Sequence, residues 1–151
     1  MSTVSLTLDE IFDLAKKTLL ANGCDDETAS ILSDLIRNAE RDGSLSHGLF
    51  RLPAYVSGLK SGKINGKGKP EVQKASASVI KVKGNNCLAP IVLSKGLPEL
   101  AKAAKENGVA VLAINNSHHM AAMWPETEKL AKEGLVAFAC TSYKPAVAPA
   151  G

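Results

Sequence analysis

The chain of 151 residues is 45% hydrophobic and 22% charged, with one Trp, two Tyr and three Phe, the composition of a soluble globular protein with a core of its own. Its net charge of +3 is thinly spread; the densest basic stretch is Lys60 to Lys69, Lys74, Lys81 and Lys83 follow, and residues 60–83 carry no interleaved aromatic residue, so no nucleic-acid surface is expected. Cys24, Cys87 and Cys140 form no CxxC pair, which argues against a disulfide framework or a thiolate zinc site and fits a reducing compartment.

Met1 to Leu8 lacks the basic and apolar regions of a signal peptide. The apolar runs Val109–Ile114 and Leu135–Cys140 are too short to cross a bilayer. A cytoplasmic protein with no membrane partner is expected.

The first 60 residues have helical periodicity. Thr7-Leu8-Asp9-Glu10 is a capping-box signature, and Leu8, Ile11, Phe12, Ala15 and Leu19 hold one face until Gly23. Asp25 or Asp26 caps a second helix whose stripe is Ile31, Leu32, Leu35, Ile36 and Ala39, ending near Gly43. A third starts around Ser46–Leu49 and runs through Tyr55 and Leu59 towards Gly62, with Pro53 tolerable in its first turn.

Gly62 to Pro70 has linker composition. Beyond it, Ala75–Val82 alternates as a strand, and Pro90 to Asn107 is helical with Gly96 and Pro98 as points of interruption. Val109–Ile114 is a short buried strand. Glu126 to Glu133 forms a helix closed by Gly134, and Leu135–Cys140 is a second buried strand. Helix, glycine, strand, twice over, predicts an α/β sheet covered by helices. A boundary near residues 62–74 divides the chain into a helical part, 1–70, and an α/β part, 71–151. The last residues, Ala146 to Gly151, resemble a strand entering a turn, and a fragment of a larger protein is expected.

The familiar cofactor signatures are missing. Gly66-Lys67-Gly68 precedes a strand and has Glu71 where a dinucleotide fingerprint has its third glycine. No GxxxxGK[ST], HExxH or GxSxG occurs. Two histidine-bearing segments remain. In Ser46-His47-Gly48-Leu49-Phe50-Arg51, helical spacing puts His47 and Arg51 on one face. A helix start near His47 places its ring in the positive end of the macrodipole, which favours neutral imidazole. Such a ring exchanges protons near neutrality, Ser46 can orient it, and Arg51 offers a fork for a carboxylate. A surface histidine, a capping serine and a solvated arginine satisfy the same spacing.

The second segment, Asn115 to Pro125, follows a strand at the end where α/β proteins place their ligands. His118 and His119 are neighbours, and neither histidine-bearing segment contains a carboxylate, so no metal site is expected. Met120, Met123 and Trp124 fit packing as well as ligand contact, while Ala121-Ala122 allows close approach to the backbone.

Together, Ser46 to Tyr55, Asn116-Ser117-His118-His119 and Trp124-Pro125 resemble the malate/L-lactate dehydrogenase family of NAD(P)H oxidoreductases. The likeness is nearest to its 1-piperideine-2-carboxylate/1-pyrroline-2-carboxylate reductases and covers nearly the whole chain. It implies a non-Rossmann NAD(P)-binding mixed sheet covered by helices, behind a helical part that serves the substrate site and a homodimer. It also implies that Ser46 belongs to a charge relay, that His47 is the proton donor and that Arg51 binds the substrate carboxylate. His119, Met120, Ala121, Ala122 and Met123 are the implied cofactor contacts, although Met120 stands where the family has an aromatic residue. Family members are roughly twice this length, so the relay acid and part of the pocket are expected elsewhere. The implied reaction is NADPH-dependent reduction, with NADH as the other cofactor, of a small cyclic imino acid's C=N bond to L-pipecolate or L-proline. The alternatives are a 2-hydroxy-acid dehydrogenase of the malate, lactate or ureidoglycolate type and a truncated, non-catalytic domain.

Overall fold

The computed structural model describes residues 4–118 and 122–141. Helix α1 (Leu8–Ala21) starts at the predicted capping box, with Thr7 and Glu10 each bonding the other's backbone N–H. Helix α2 (Asp26–Arg41) is capped by Asp25, whose carboxylate accepts from Thr28 N–H at 2.9 Å. Their buried faces meet through Ile11, Ala15, Leu19, Ala29, Leu32 and Ile36, and Leu52, Tyr55, Ile64 and Leu88 close this first core.

The predicted third helix begins later than its period suggests. Residues 45–47 and 49–51 are two separate 3-10 turns, and α3 spans Leu52–Lys60 with Pro53 in its first turn. A proline in the first turn loses no hydrogen bond and has the φ a helix needs, so the α-helix starts around it. His47 is therefore not at the amino end of an α-helix.

The sheet has three strands in the order β1-β2-β3. The predicted strand Ala75–Val82 is instead a turn followed by β2 (Val79–Lys83), which pairs antiparallel with β1 (Glu71–Lys74). Small residues Ala75 to Ser78 make the reversal, closed by Ala75 N–H to Val79 O at 2.8 Å. Strand β1 escapes sequence reading because all four of its residues are exposed, so no apolar face marks it.

Helix α4 (Ala89–Asn107) crosses over to β3 (Val111–Asn115), parallel to β2. Neither Gly96 nor Pro98 interrupts it. Gly96 is where α4 comes closest to the sheet, since a Cβ there would lie 2.9 Å from Leu112 Cδ1 and 3.0 Å from Val82 Cγ2. This second core comprises Ile80, Val82, Ile91 and Val92, with Leu112 and Ile114 against it. Strand β3 is half-covered rather than buried: Val111 is 57% exposed, because only the Leu112–Ile114 face packs on α4.

Helix α5 (Trp124–Lys132) then leads through Gly134 to residues 135–140, the predicted second buried strand. They are neither buried nor paired as a strand. Leu135 and Ala137 rest on a third cluster with Leu93, Leu97 and Leu130, while Val136 and Phe138 face outward at 105% and 91% exposure. The alternation is a strand's, but among the described residues no neighbouring strand takes up its backbone groups. Among the described residues, no helix is long and apolar enough to cross a membrane.

Candidate active site

The segment from Ser44 to Arg51 folds against the carboxyl end of α2. Ser44 N–H reaches back to Ala39 O at 2.8 Å, and His47 N–H donates to Ser44 O at 2.8 Å. This tight turn brings two hydroxyls to one imidazole nitrogen: Ser46 Oγ lies 3.0 Å and Ser44 Oγ 3.3 Å from His47 Nδ1. With Nδ1 engaged, Nε2 is the nitrogen available for proton exchange. Arg51 Nε donates to Ser46 O at 2.7 Å, so the guanidinium is braced by the residue that flanks the imidazole. His47 and Arg51 are thus neighbours through this loop and not through a helix face.

Burial pushes the His47 ring below its usual pKa, and the Arg51 charge adds to this. The depression was expected from a helix macrodipole. It arises instead from lost solvation and from Arg51, since α3 begins five residues downstream of His47.

The two histidine-bearing segments meet through Trp124. Its ring stands edge-on to His47, with centroids 6.0 Å apart and planes at 76°. Arg41 holds the Asp42 carboxyl below its ordinary range, and the Trp124 indole adds to this.

Beyond β3, the backbone of the second segment docks on the loop preceding α4. His118 N–H donates to Cys87 O at 2.8 Å, and Ala89 N–H donates to His118 O at 3.2 Å. Ser117 Oγ is buried without a hydrogen-bond partner. Ala122 is buried and Met123 half-buried just before α5. His119, Met120 and Ala121 lie outside the described residues. Among the described residues, no three His, Cys, Asp or Glu side chains gather as metal ligands.

Sequence reasoning missed Ser44, Asp42 and Glu40 in this neighbourhood. A serine two residues before an SHG element is a weak local signal, and only the fold brings the two acidic residues to the loop. It also missed Glu126, whose Oε2 is buried with no hydrogen-bond partner and whose pKa burial raises. A raised folded-state pKa means stability is retained at low pH and lost as pH climbs through that value. We therefore expect Glu126→Gln to raise the thermal midpoint at pH 8 by roughly 2–4 °C, the shift of about 1 kcal/mol at this size. At pH 4 the gain should vanish; calorimetry at the two pH values checks this.

The helical layer, the mixed sheet and the serine-flanked His–Arg loop define a chain of the malate/L-lactate dehydrogenase family, to which it belongs: residues 6–151 match that family. Among its relatives is the Delta(1)-pyrroline-2-carboxylate/Delta(1)-piperideine-2-carboxylate reductase of Pseudomonas syringae pv. tomato. It is 38% identical over 99% of this chain and 43% of its own length. The malate/(S)-sulfolactate dehydrogenase of Methanothermus fervidus is 35% identical over 95% of this chain and 42% of its own. The crystal structure of the delta1-piperideine-2-carboxylate reductase from Pseudomonas syringae superposes with a TM-score of 0.83, at 38% identity over 87% of this chain and 40% of that one. The chain spans less than half the length of the relatives it matches.

Proposed function

We propose that this chain is the proton-delivering and carboxylate-binding portion of an NAD(P)H-dependent reductase of cyclic ketimine carboxylates. The observation that carries this reading is the loop in which Ser46 flanks His47 and braces Arg51, in a chain so similar to pyrroline- and piperideine-2-carboxylate reductases.

A bound nicotinamide supplies the hydride to the imine carbon. The unpartnered Ser117 hydroxyl at the carboxyl end of β3 suits a polar cofactor group there, next to the proposed contact segment His119, Met120, Ala121, Ala122 and Met123. We assign the cofactor to a non-Rossmann frame, in keeping with a sequence that has no glycine fingerprint. Arg51 grips the substrate carboxylate with its terminal nitrogens, since Nε is spent on Ser46 O. That fixes the imine carbon's orientation. His47, its Nδ1 held by Ser46 and Ser44, gives a proton from Nε2 to the imine nitrogen as charge collects there. The products are L-pipecolate and L-proline. We assign residues 1–70 to the substrate side and 71–151 to the cofactor side, of a protein that works in the cytoplasm as a homodimer with NADPH.

A 2-hydroxy-acid dehydrogenase would use the same proton donor and arginine on a C=O bond, and the sulfolactate dehydrogenase relative favours this second reading. NADPH oxidation, measured for this chain and for a longer protein containing it, separates the two. We expect faster turnover of 1-piperideine-2-carboxylate or 1-pyrroline-2-carboxylate than of pyruvate or oxaloacetate. The reverse order would sink the ketimine assignment.

A further inference from the structure

We propose that Glu40 is a positioning residue for the His47–Arg51 loop, holding it through a single peptide N–H; its effect on turnover rests on the reductase reading above. Glu40 is the penultimate residue of α2 and half-buried, and its Oε1 accepts from Leu49 N–H at 2.7 Å. Leu49 lies midway between His47 and Arg51. The two 3-10 turns on either side are too short to hold themselves, so this bond ties the middle of the loop to a packed helix. Ala39 next to Glu40 is buried, and the α2 face it belongs to also carries the fully buried Ile36 and Leu32. The anchor point is therefore rigid.

Gly48 bears on the same contact independently. A Cβ on Gly48 would lie 2.1 Å from Glu40 Oε1 and 2.5 Å from its Cδ. The glycine therefore has a steric reason in the carboxylate it admits. A side chain at 48 has to expel Glu40 from Leu49 N–H. Glu40 touches none of the reacting groups; it acts through where it puts His47 and Arg51, and misplacements on the ångström scale slow a reaction steeply.

The test combines three variants in an active protein carrying this chain with backbone NMR of the 151-residue chain. Glu40→Ala should lower kcat roughly tenfold, and Glu40→Gln, whose amide oxygen still accepts from Leu49 N–H, should recover most of it. Gly48→Ala should resemble Glu40→Ala, and the double variant should lose no more than either single change, because both break one contact. In the 151-residue chain, Leu49 N–H should exchange with solvent at least tenfold faster in Glu40→Ala than in Glu40→Gln, with the α1–α2 core amides unchanged. A Glu40→Gln variant as impaired as Glu40→Ala, or Leu49 exchange indifferent to both, overturns the proposal. If the unaltered protein reduces neither imine nor 2-oxo acid while Leu49 exchange behaves as expected, the positioning role stands and the reductase reading falls.

Discussion

Replacing His47 by alanine should lower kcat by about 10²–10⁴ in an active protein carrying this chain, the usual worth of a positioned general acid. The imidazole is held at Nδ1 by two hydroxyls and stands edge-on to Trp124, which leaves Nε2 to exchange the proton. The pH dependence has a definite sign. Burial and the Arg51 charge both disfavour the imidazolium, so the free protein loses its proton donor below the ordinary histidine range, and kcat/KM should fall as pH rises through that point. A substrate carboxylate on Arg51 neutralises part of the opposing charge and restores the proton. The falling limb of kcat should therefore lie at higher pH than that of kcat/KM. Stopped-flow NADPH oxidation between pH 5 and 9 reads both limbs. Coincident limbs, or an alanine variant of unchanged rate, would remove His47 from the chemistry.

Arg51→Ala should act chiefly on substrate binding. A charge-assisted hydrogen bond of about 1.5–3 kcal/mol corresponds to a rise in KM of roughly 10- to 150-fold. Because Arg51 Nε also braces Ser46 O, a smaller loss in kcat should accompany it. Arg51→Lys keeps the charge without the planar fork, so it should recover part of the binding and none of the brace. The two variants, compared by initial rates over a wide range of imine concentration, separate carboxylate capture from support of the loop. An unaltered KM in both would return Arg51 to an ordinary surface arginine.

What could be read from the chain was what its local chemistry decides. Thr7 with Glu10 and Asp25 with Thr28 cap α1 and α2 through contacts three residues long. Of the apolar stripes that follow, Ile11, Ala15, Leu19, Leu32 and Ile36 form one core, whereas Leu8 is exposed and Ile31 packs on the second core. The loop at 45–51 defeated the same reasoning because a spacing of four is shared by a helix face and by two successive 3-10 turns. Strand β1 was hidden by its polar, exposed sequence. Residues 135–140 erred in the opposite direction: their composition asks for a strand, but a strand also needs a neighbour. In the site, the pairing of His47 with Arg51 was legible. The approach of Trp124, Asp42 and Glu40 was not, because each depends on how separate elements dock. The family likeness lay in the motifs themselves, SHG-x-x-R and NS-x-H, and residues 6–151 carry it.

The edge-on tryptophan also has an optical consequence. Trp124 is the sole tryptophan of the chain, so its fluorescence comes from one place, a ring's distance from the proposed proton donor. A protonated imidazole quenches a neighbouring indole more strongly than a neutral one. Emission intensity followed against pH should therefore report the charge on His47 without any label, and an acid bound beside Arg51 as proposed should register as a change in brightness.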